Sequence, residues 1–127
     1  MDINNLSGQI IGAAIEVHKF LGSGLFESAY EECLCHELNI RKIAYERQKV
    51  LPIQYKGVRL DCGYRIDIVV ENMIVLELKA CETIEDIHKA QLLTYLRLSG
   101  LKLGLILNFN VPVLKEGIVR AVNNLEE

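Results

Sequence analysis

Three charged side chains stand in a stretch that is otherwise apolar and rich in β-formers. The segment from Tyr64 to Lys79 places Asp67 in one apolar run, Glu77 ten residues later in a second, and Lys79 two residues beyond that. A charge inside such a run is costly to bury unless it is paired or bound to a metal. Two carboxylates and an ammonium converging at the end of one hairpin form a cradle for a divalent cation and an activated water. That is the chemistry of metal-dependent phosphodiester cleavage.

Strand geometry sharpens the expectation. Side chains alternate faces, so Glu77 and Lys79 share a face while Leu76, Leu78 and Ala80 take the other. Asp67 must reach the same face from the neighbouring strand, which Arg65 and Val69 share with it, whereas Ile66 and Ile68 point away. A two-residue turn at Glu71-Asn72 would pair Asp67 with Leu76 and send it to the wrong side. A three-residue loop, Val70-Glu71-Asn72, makes Asp67 and Glu77 diagonal neighbours, with Asn72 in the left-handed position. The sequence therefore predicts an odd loop or a bulge.

Each candidate carries a role and a bland alternative. Glu77 suits Mg²⁺ through oxygen, and the carbonyl of Leu78 is an additional candidate ligand. Lys79 can orient or deprotonate water, or stabilise charge on a phosphate. The alternative is an ordinary ion pair of Asp67 with Arg65 or Lys79. Glu27 falls on one helical stripe with Tyr30, Leu34 and Leu38, so it is expected to face the core; alternatively it caps its helix behind Gly24. Gln91 and Tyr95, four apart, share a helix face with His88 nearby, placed to hold phosphate or water; helix–sheet packing would explain them equally. His18 is a further polar candidate, with a satisfied structural histidine as its alternative.

The elements that must position these residues follow from periodicity. Leu6, Ile10, Ala13, Ala14 and Val17 form the stripe of a helix from about Asn4 to Phe20. Gly22-Ser23-Gly24 stops it, and a second helix runs from about Leu25 to Leu38. Strands follow at Tyr45–Gln54, broken by Pro52, at Leu60–Val70 and at Ile74–Leu78, with Lys56-Gly57 turning between the first two. A third helix spans about Ile84 to Ser99 and ends at Gly100. Leu103–Asn108 is apolar enough for a buried central strand, and Gly117–Val122 reads as an edge strand. A helix crossing between strands implies a right-handed parallel connection. The fold class is therefore α/β, a mixed β-sheet flanked by helices.

Composition narrows the classes. The chain of 127 residues reads as one domain, 1–127, with 50% hydrophobic and 24% charged residues, an ordinary globular balance. No apolar run of about 18 residues spans a membrane. The Met-Asp-Ile-Asn-Asn start is unlike a secretion signal, so a cytoplasmic location is expected. Cys33, Cys35, Cys62 and Cys81 follow neither zinc nor redox spacing and read as buried reduced thiols. A net charge of −3 gives no general pull on nucleic acid. From Arg41 to Arg65, however, Arg41, Lys42, Arg47, Lys49, Lys56, Arg59 and Arg65 face only Glu46 and Asp61, a local basic stretch able to hold phosphates. Aromatics are 6% and sparsely spaced, which ranks RNA below DNA as a partner and weighs against tight sequence-independent single-strand binding. A homodimer would let two sites cut both strands.

Together these residues resemble the PD-(D/E)xK (restriction-endonuclease-like) nuclease superfamily, and within it the GxxExxY family, over nearly the whole chain. Ile11-Gly-Ala-Ala-Ile-Glu-Val-His18 is similar to that family's opening. Gly24, Glu27 and Tyr30 match its naming motif, and Asp67, Glu77 and Lys79 fall at the D…ExK positions. Gln91-Leu-Leu-Thr-Tyr95 resembles the QxxxY helix of RecB-like exonucleases. Ile66 stands where the superfamily has proline. The resemblance implies a core order α-β-β-β-α-β with an extra N-terminal helix, a Mg²⁺ or Mn²⁺ cofactor, and a site built from Glu27, Asp67, Glu77, Lys79 and Gln91. It implies hydrolysis of DNA phosphodiester bonds. The competing expectation is a non-catalytic module that keeps the fold and binds nucleic acid or a protein.

Overall fold

The computed structural model describes residues 2–125. Its order is α1 (Ile3–Leu21), α2 (Glu27–Ile40), β1 (Tyr45–Val50), β2 (Ile53–Tyr55), β3 (Val58–Leu60), β4 (Arg65–Val70), β5 (Ile74–Lys79), α3 (Asp86–Ser99), β6 (Leu103–Asn108), a 3₁₀ turn (Leu114–Gly117) and β7 (Ile118–Val122).

Five strands form one mixed sheet in the order β1-β4-β5-β6-β7. β5 and β6 are parallel, linked through α3, and the other pairings are antiparallel. All six residues of β6 are buried, which suits a strand covered on both faces. One face is sealed by α1 and α2: Leu6, Ile10, Ala13, Ala14, Tyr30 and Leu34 pack on Ile68, Val70, Leu76, Leu78, Leu105 and Leu107. The other is sealed by α3, whose Leu92, Tyr95 and Leu96 pack on Val69, Val75 and Ile106. At Gly104 the approach of α3 leaves no room, since a Cβ there would lie 2.7 Å from Leu92 Cδ1.

Local signals explain the helix ends. Asp2 caps α1 by accepting from Asn5 N–H at 2.8 Å. Glu85 and His88 close a reciprocal capping box on α3, and Gly100 ends it in the left-handed conformation at φ 75°. The α2 start differs from expectation. Phe26, not Gly24, precedes the first helical residue, so Glu27 opens the helix and is exposed rather than core-facing.

The strands between α2 and β4 also differ. Instead of extending the runs expected at Tyr45–Gln54 and Leu60–Val70, β2 and β3 form a separate two-stranded ribbon, with Ile53 opposite Leu60 and Tyr55 opposite Val58. Pro52 ends the first run as expected. The run expected from Leu60 to Val70 is cut at Asp61–Tyr64, where Asp61 Oδ1 accepts from Gly63 N–H at 2.9 Å and Gly63 sits at φ 86°. β7 is an edge strand, beginning at Ile118 because Gly117 closes the 3₁₀ turn.

Candidate active site

The β4–β5 loop sets the site's register. Val70 pairs with Ile74 and Ile68 with Leu76, leaving Glu71-Asn72-Met73 as an odd, three-residue connection. Glu71 and Asn72 both have positive φ, 52° and 54°, and Met73 N–H closes the turn on Val70 C=O at 2.9 Å. The parity is as expected. The loop lies one residue further on, which shifts the pairing by two and sets Asp67 directly opposite Glu77 instead of diagonal to it.

The ladder opens at that point. Its paired residues stop at Ile68 and Leu76, and two carboxylates replace the missing carbonyls. Glu77 Oε2 accepts from Asp67 N–H at 2.9 Å, and Asp67 Oδ2 accepts from Leu78 N–H at 2.9 Å. Side-chain alternation slips here too. Ile66 packs on the α3 side with Val69, while Ile68 packs on the α1–α2 side, so the two isoleucines do not share a face as expected. On the opposing strand Gln48 stands between Arg47 and Lys49, which pair with Ile68 and Ile66, and it adopts φ 48°. A non-glycine residue in that region within a strand is strained.

Electrostatics register the crowding. Glu77 is 6% exposed. Burial, and then the neighbouring Asp67 charge, push its carboxyl up to about 8. Burial also raises Asp67, with the Glu31 charge adding to it and the Leu78 and Gln48 hydrogen bonds opposing it. Lys79 lowers both, but its ammonium makes no ion pair or hydrogen bond among the described residues. It shares the α3-side face with Glu77, as alternation requires, and its ammonium is left for another anion.

Gln91 and Tyr95 lie against the same region. Gln91 Nε2 donates to Tyr95 Oη at 2.9 Å. Burial, then the Glu77 charge, raises the buried Tyr95 phenol. Leu78 contributes its backbone. Within a strand one residue's N–H and C=O lie on one edge. Because Leu78 N–H points to Asp67, its carbonyl opens on the same gap.

The remaining candidates fall elsewhere. Glu27 touches none of these groups directly, although its charge adds to the upward push on Glu77. Arg65 donates to Asp61 at 3.2 Å and to Tyr64 C=O at 2.9 Å, not to Asp67. His18 is buried with Nε2 shared between the carbonyls of Phe109 (3.2 Å) and Val111 (2.9 Å), so Nε2 carries the proton. Tyr30 is buried, stacks on Phe109 at 4.3 Å and donates to Gly22 C=O at 2.7 Å. His88 caps α3.

Sequence reasoning missed a network behind Asp67. Gln48 Nε2 donates to Glu31 Oε1 at 2.8 Å and, more weakly, to Asp67 Oδ1 at 3.4 Å. Arg47 clasps Glu31 Oε2 through Nη2 at 2.8 Å and Nε at 3.2 Å. Glu31 is one turn after Glu27 on the Tyr30–Leu34–Leu38 side, which was the available signal. Asn108, opposite Lys79 on β6, clamps Cys81 with both amide atoms, at 3.2 and 2.8 Å.

Folding consumes most of the basic stretch. Arg41, Arg47, Lys49 and Arg65 pair with Glu37, Glu31, Glu46 and Asp61, leaving Lys42, Lys56 and Arg59 without ion pairs among the described residues. The cysteines are free, but only Cys35 is buried, and burial pushes its thiol up to about 11; Cys62 is exposed. Among the described residues no three or more His, Cys, Asp or Glu side chains form a metal-holding group. The donor set that is present, two adjacent carboxylates with Glu77 Oε1 unbonded and one carbonyl edge, is nonetheless all oxygen, as hard cations require.

A family model described as the PD-(D/E)XK nuclease superfamily matches residues 4–121. The chain belongs to the PD-(D/E)XK nuclease superfamily. The five-stranded mixed sheet flanked by helices, with an acidic pair and a lysine on adjacent central strands, agrees with that fold. No curated protein and no solved structure gave a significant match.

Proposed function

We propose that this protein is a single-domain, cytoplasmic Mg²⁺- or Mn²⁺-dependent nuclease that hydrolyses DNA phosphodiester bonds, of the GxxExxY group within its superfamily. The observation that carries the reading is the reciprocal bonding of Asp67 and Glu77. Each carboxylate holds the opposite strand open, and together they present oxygen donors beside Lys79, whose ammonium has no ion pair among the described residues.

Asp67, Glu77 and the carbonyl of Leu78 would hold the cation, with Glu27, whose charge reaches Glu77, as a further candidate ligand. Once bound, a divalent cation neutralises phosphate charge and acidifies water. The chain's own groups do the rest. Lys79 stabilises charge that develops on the phosphate or takes the proton of the attacking water. The Gln91–Tyr95 pair holds the strand's backbone or that water from the α3 side. Gln48 fixes the Asp67 carboxylate while Arg47 offsets Glu31.

The deciding experiment incubates labelled linear, circular, single-stranded and branched DNA with Mg²⁺, Mn²⁺ or chelator, comparing wild type with Asp67→Ala. Metal-dependent cutting that disappears in the variant supports the reading; a variant as active as wild type sinks it. The second reading, a non-catalytic module that binds nucleic acid or a protein, draws on the lack of a three-ligand group among the described residues. It requires metal-independent binding and indifference to Lys79→Ala.

A further inference from the structure

Beside the acidic pair lies a cleft of about 350 Å³ between the ribbon and α3, lined by Ile53, Tyr64, Ile87, Gln91, Thr94 and Tyr95 among others. It adjoins the candidate site through Gln91 and Tyr95, which line it. Resting on the nuclease reading above, we propose that this cleft receives the unpaired end of a DNA strand, with a base stacked on Tyr64.

The walls fit a base. A nucleobase has apolar faces and a polar edge, and stacking on an aromatic ring is how proteins grip unpaired strands. Ile53 and Ile87 supply apolar surface, while Gln91 and Thr94 supply an amide and a hydroxyl. Tyr64 is 43% exposed, so its ring has a free side. Its other contact is Tyr95, edge-on at 6.2 Å and 70°, which steadies it. The aromatics that look scattered in the sequence, thirty-one positions apart, meet here.

The surroundings extend the platform. Strand alternation puts Tyr55 on the ribbon face that carries Ile53, and the facing Val58 and Leu60 continue it; all three of Tyr55, Val58 and Leu60 are exposed. Lys56 Nζ lies 5.4 Å from the centre of the Tyr55 ring, a cation beside an aromatic. Among the described residues, Lys56 and Arg59 also escape the ion pairing that occupies Arg47, Lys49 and Arg65. An intact duplex hides its base faces and is gripped through many phosphates. Lys56 and Arg59 offer cations to a few phosphates, and the exposed rings offer stacking faces that only an unpaired strand can use.

The test is fluorescence anisotropy in chelator, where binding is read without cleavage. It compares a labelled oligothymidylate, a blunt DNA hairpin and the RNA of the same sequence, on wild type, Tyr64→Ala and Ile87→Glu. Both substituted positions are exposed, and circular dichroism verifies folding. Wild type is expected to prefer the unpaired DNA, and Tyr64→Ala to weaken it about tenfold, with Ile87→Glu weakening it further and the hairpin affinity unchanged. A hairpin or RNA preference, variants that bind like wild type, or a dimer that buries the ribbon would each overturn the proposal. Loss of the nuclease reading is scored separately, by cleavage with Asp67→Ala, so either can fail without the other.

Discussion

Asp67 and Glu77 hold each other's strands: the Asp67 amide donates to Glu77 at 2.9 Å, and the Asp67 carboxylate accepts from the residue after Glu77 at 2.9 Å. The two acids are thus structural replacements for a ladder bond as well as candidate ligands. Glu77→Gln separates these roles. Its amide oxygen can still accept from Asp67 N–H, and the buried charge is gone. The fold is therefore expected to survive with unchanged or higher thermal stability at pH 8, while metal-dependent cleavage falls on the order of 100-fold or more. Parallel thermal melts and single-turnover cleavage read both quantities. A variant that cleaves normally would remove Glu77 from the chemistry.

The same crowding fixes a pH dependence. Burial, then Asp67, hold the Glu77 carboxyl at about 8 in the folded chain, against an ordinary value of 4.5. The folded state therefore binds a proton that the unfolded state has released. The stability this contributes is complete below about 4.5 and is lost as pH rises through about 8. In chelator, the melting temperature is expected to fall from pH 5 to pH 8, by a free energy on the order of a few kcal/mol. Glu77→Gln should flatten that slope. Mg²⁺ must displace the proton, so its affinity should grow with pH and its binding release protons, as titration calorimetry in buffers of different ionisation enthalpy would reveal. A flat melting profile would contradict the burial of a protonated Glu77.

Behind the pair, Gln48 shares one amide between Glu31 and Asp67. Gln48→Ala removes that bridge without uncovering a buried cation, and is expected to lower the cleavage rate about tenfold with KM for DNA unchanged. Gln48→Glu, which adds a third negative charge, should lower it more. Arg47→Met instead leaves the Glu31 carboxylate, 12% exposed, without its cation. It should cost about 2 kcal/mol of stability, discounted because the guanidinium is partly solvated. Denaturant melts and steady-state kinetics distinguish the two. Equal kinetic loss in both variants would mean that Gln48 acts only through folding.

The legible parts of this structure are those governed by short-range periodicity. Alternation placed Glu77 and Lys79 on one face, and the demand that Asp67 reach them required an odd loop, which Glu71-Asn72-Met73 provides. What could not be read was set by distant contacts or by weak local signals. The ribbon is hidden because Ile53-Gln54 and Leu60 fall within the runs expected at Tyr45–Gln54 and Leu60–Val70, and only Pro52 and the Asp61–Gly63 turn mark the breaks. Glu31 is not legible in the sequence because its partners, Arg47 and Gln48, lie sixteen and seventeen residues away. The slip of faces at Asp67 follows from the carboxylates themselves entering the ladder, which no alternation rule anticipates.

His18 tests the boundary between site and scaffold. Its Nε2 is shared by the carbonyls of Phe109 and Val111. Phe109 in turn donates its N–H to Lys79 C=O at 2.9 Å and stacks on Tyr30. The histidine therefore anchors the segment that ends β6 beside the site, without offering its protonated nitrogen to a substrate. His18→Ala leaves two carbonyls short of a donor and opens space against Phe109. A loss of about 2 kcal/mol is expected, read as a melting temperature lower by about 6–10 °C. Below that temperature, cleavage per folded molecule should stay within about twofold of wild type, because Lys79 is still held by the β5–β6 register and by the Asn108 clamp. Collapse of activity in a variant that remains folded at the assay temperature would move His18 from the scaffold into the site.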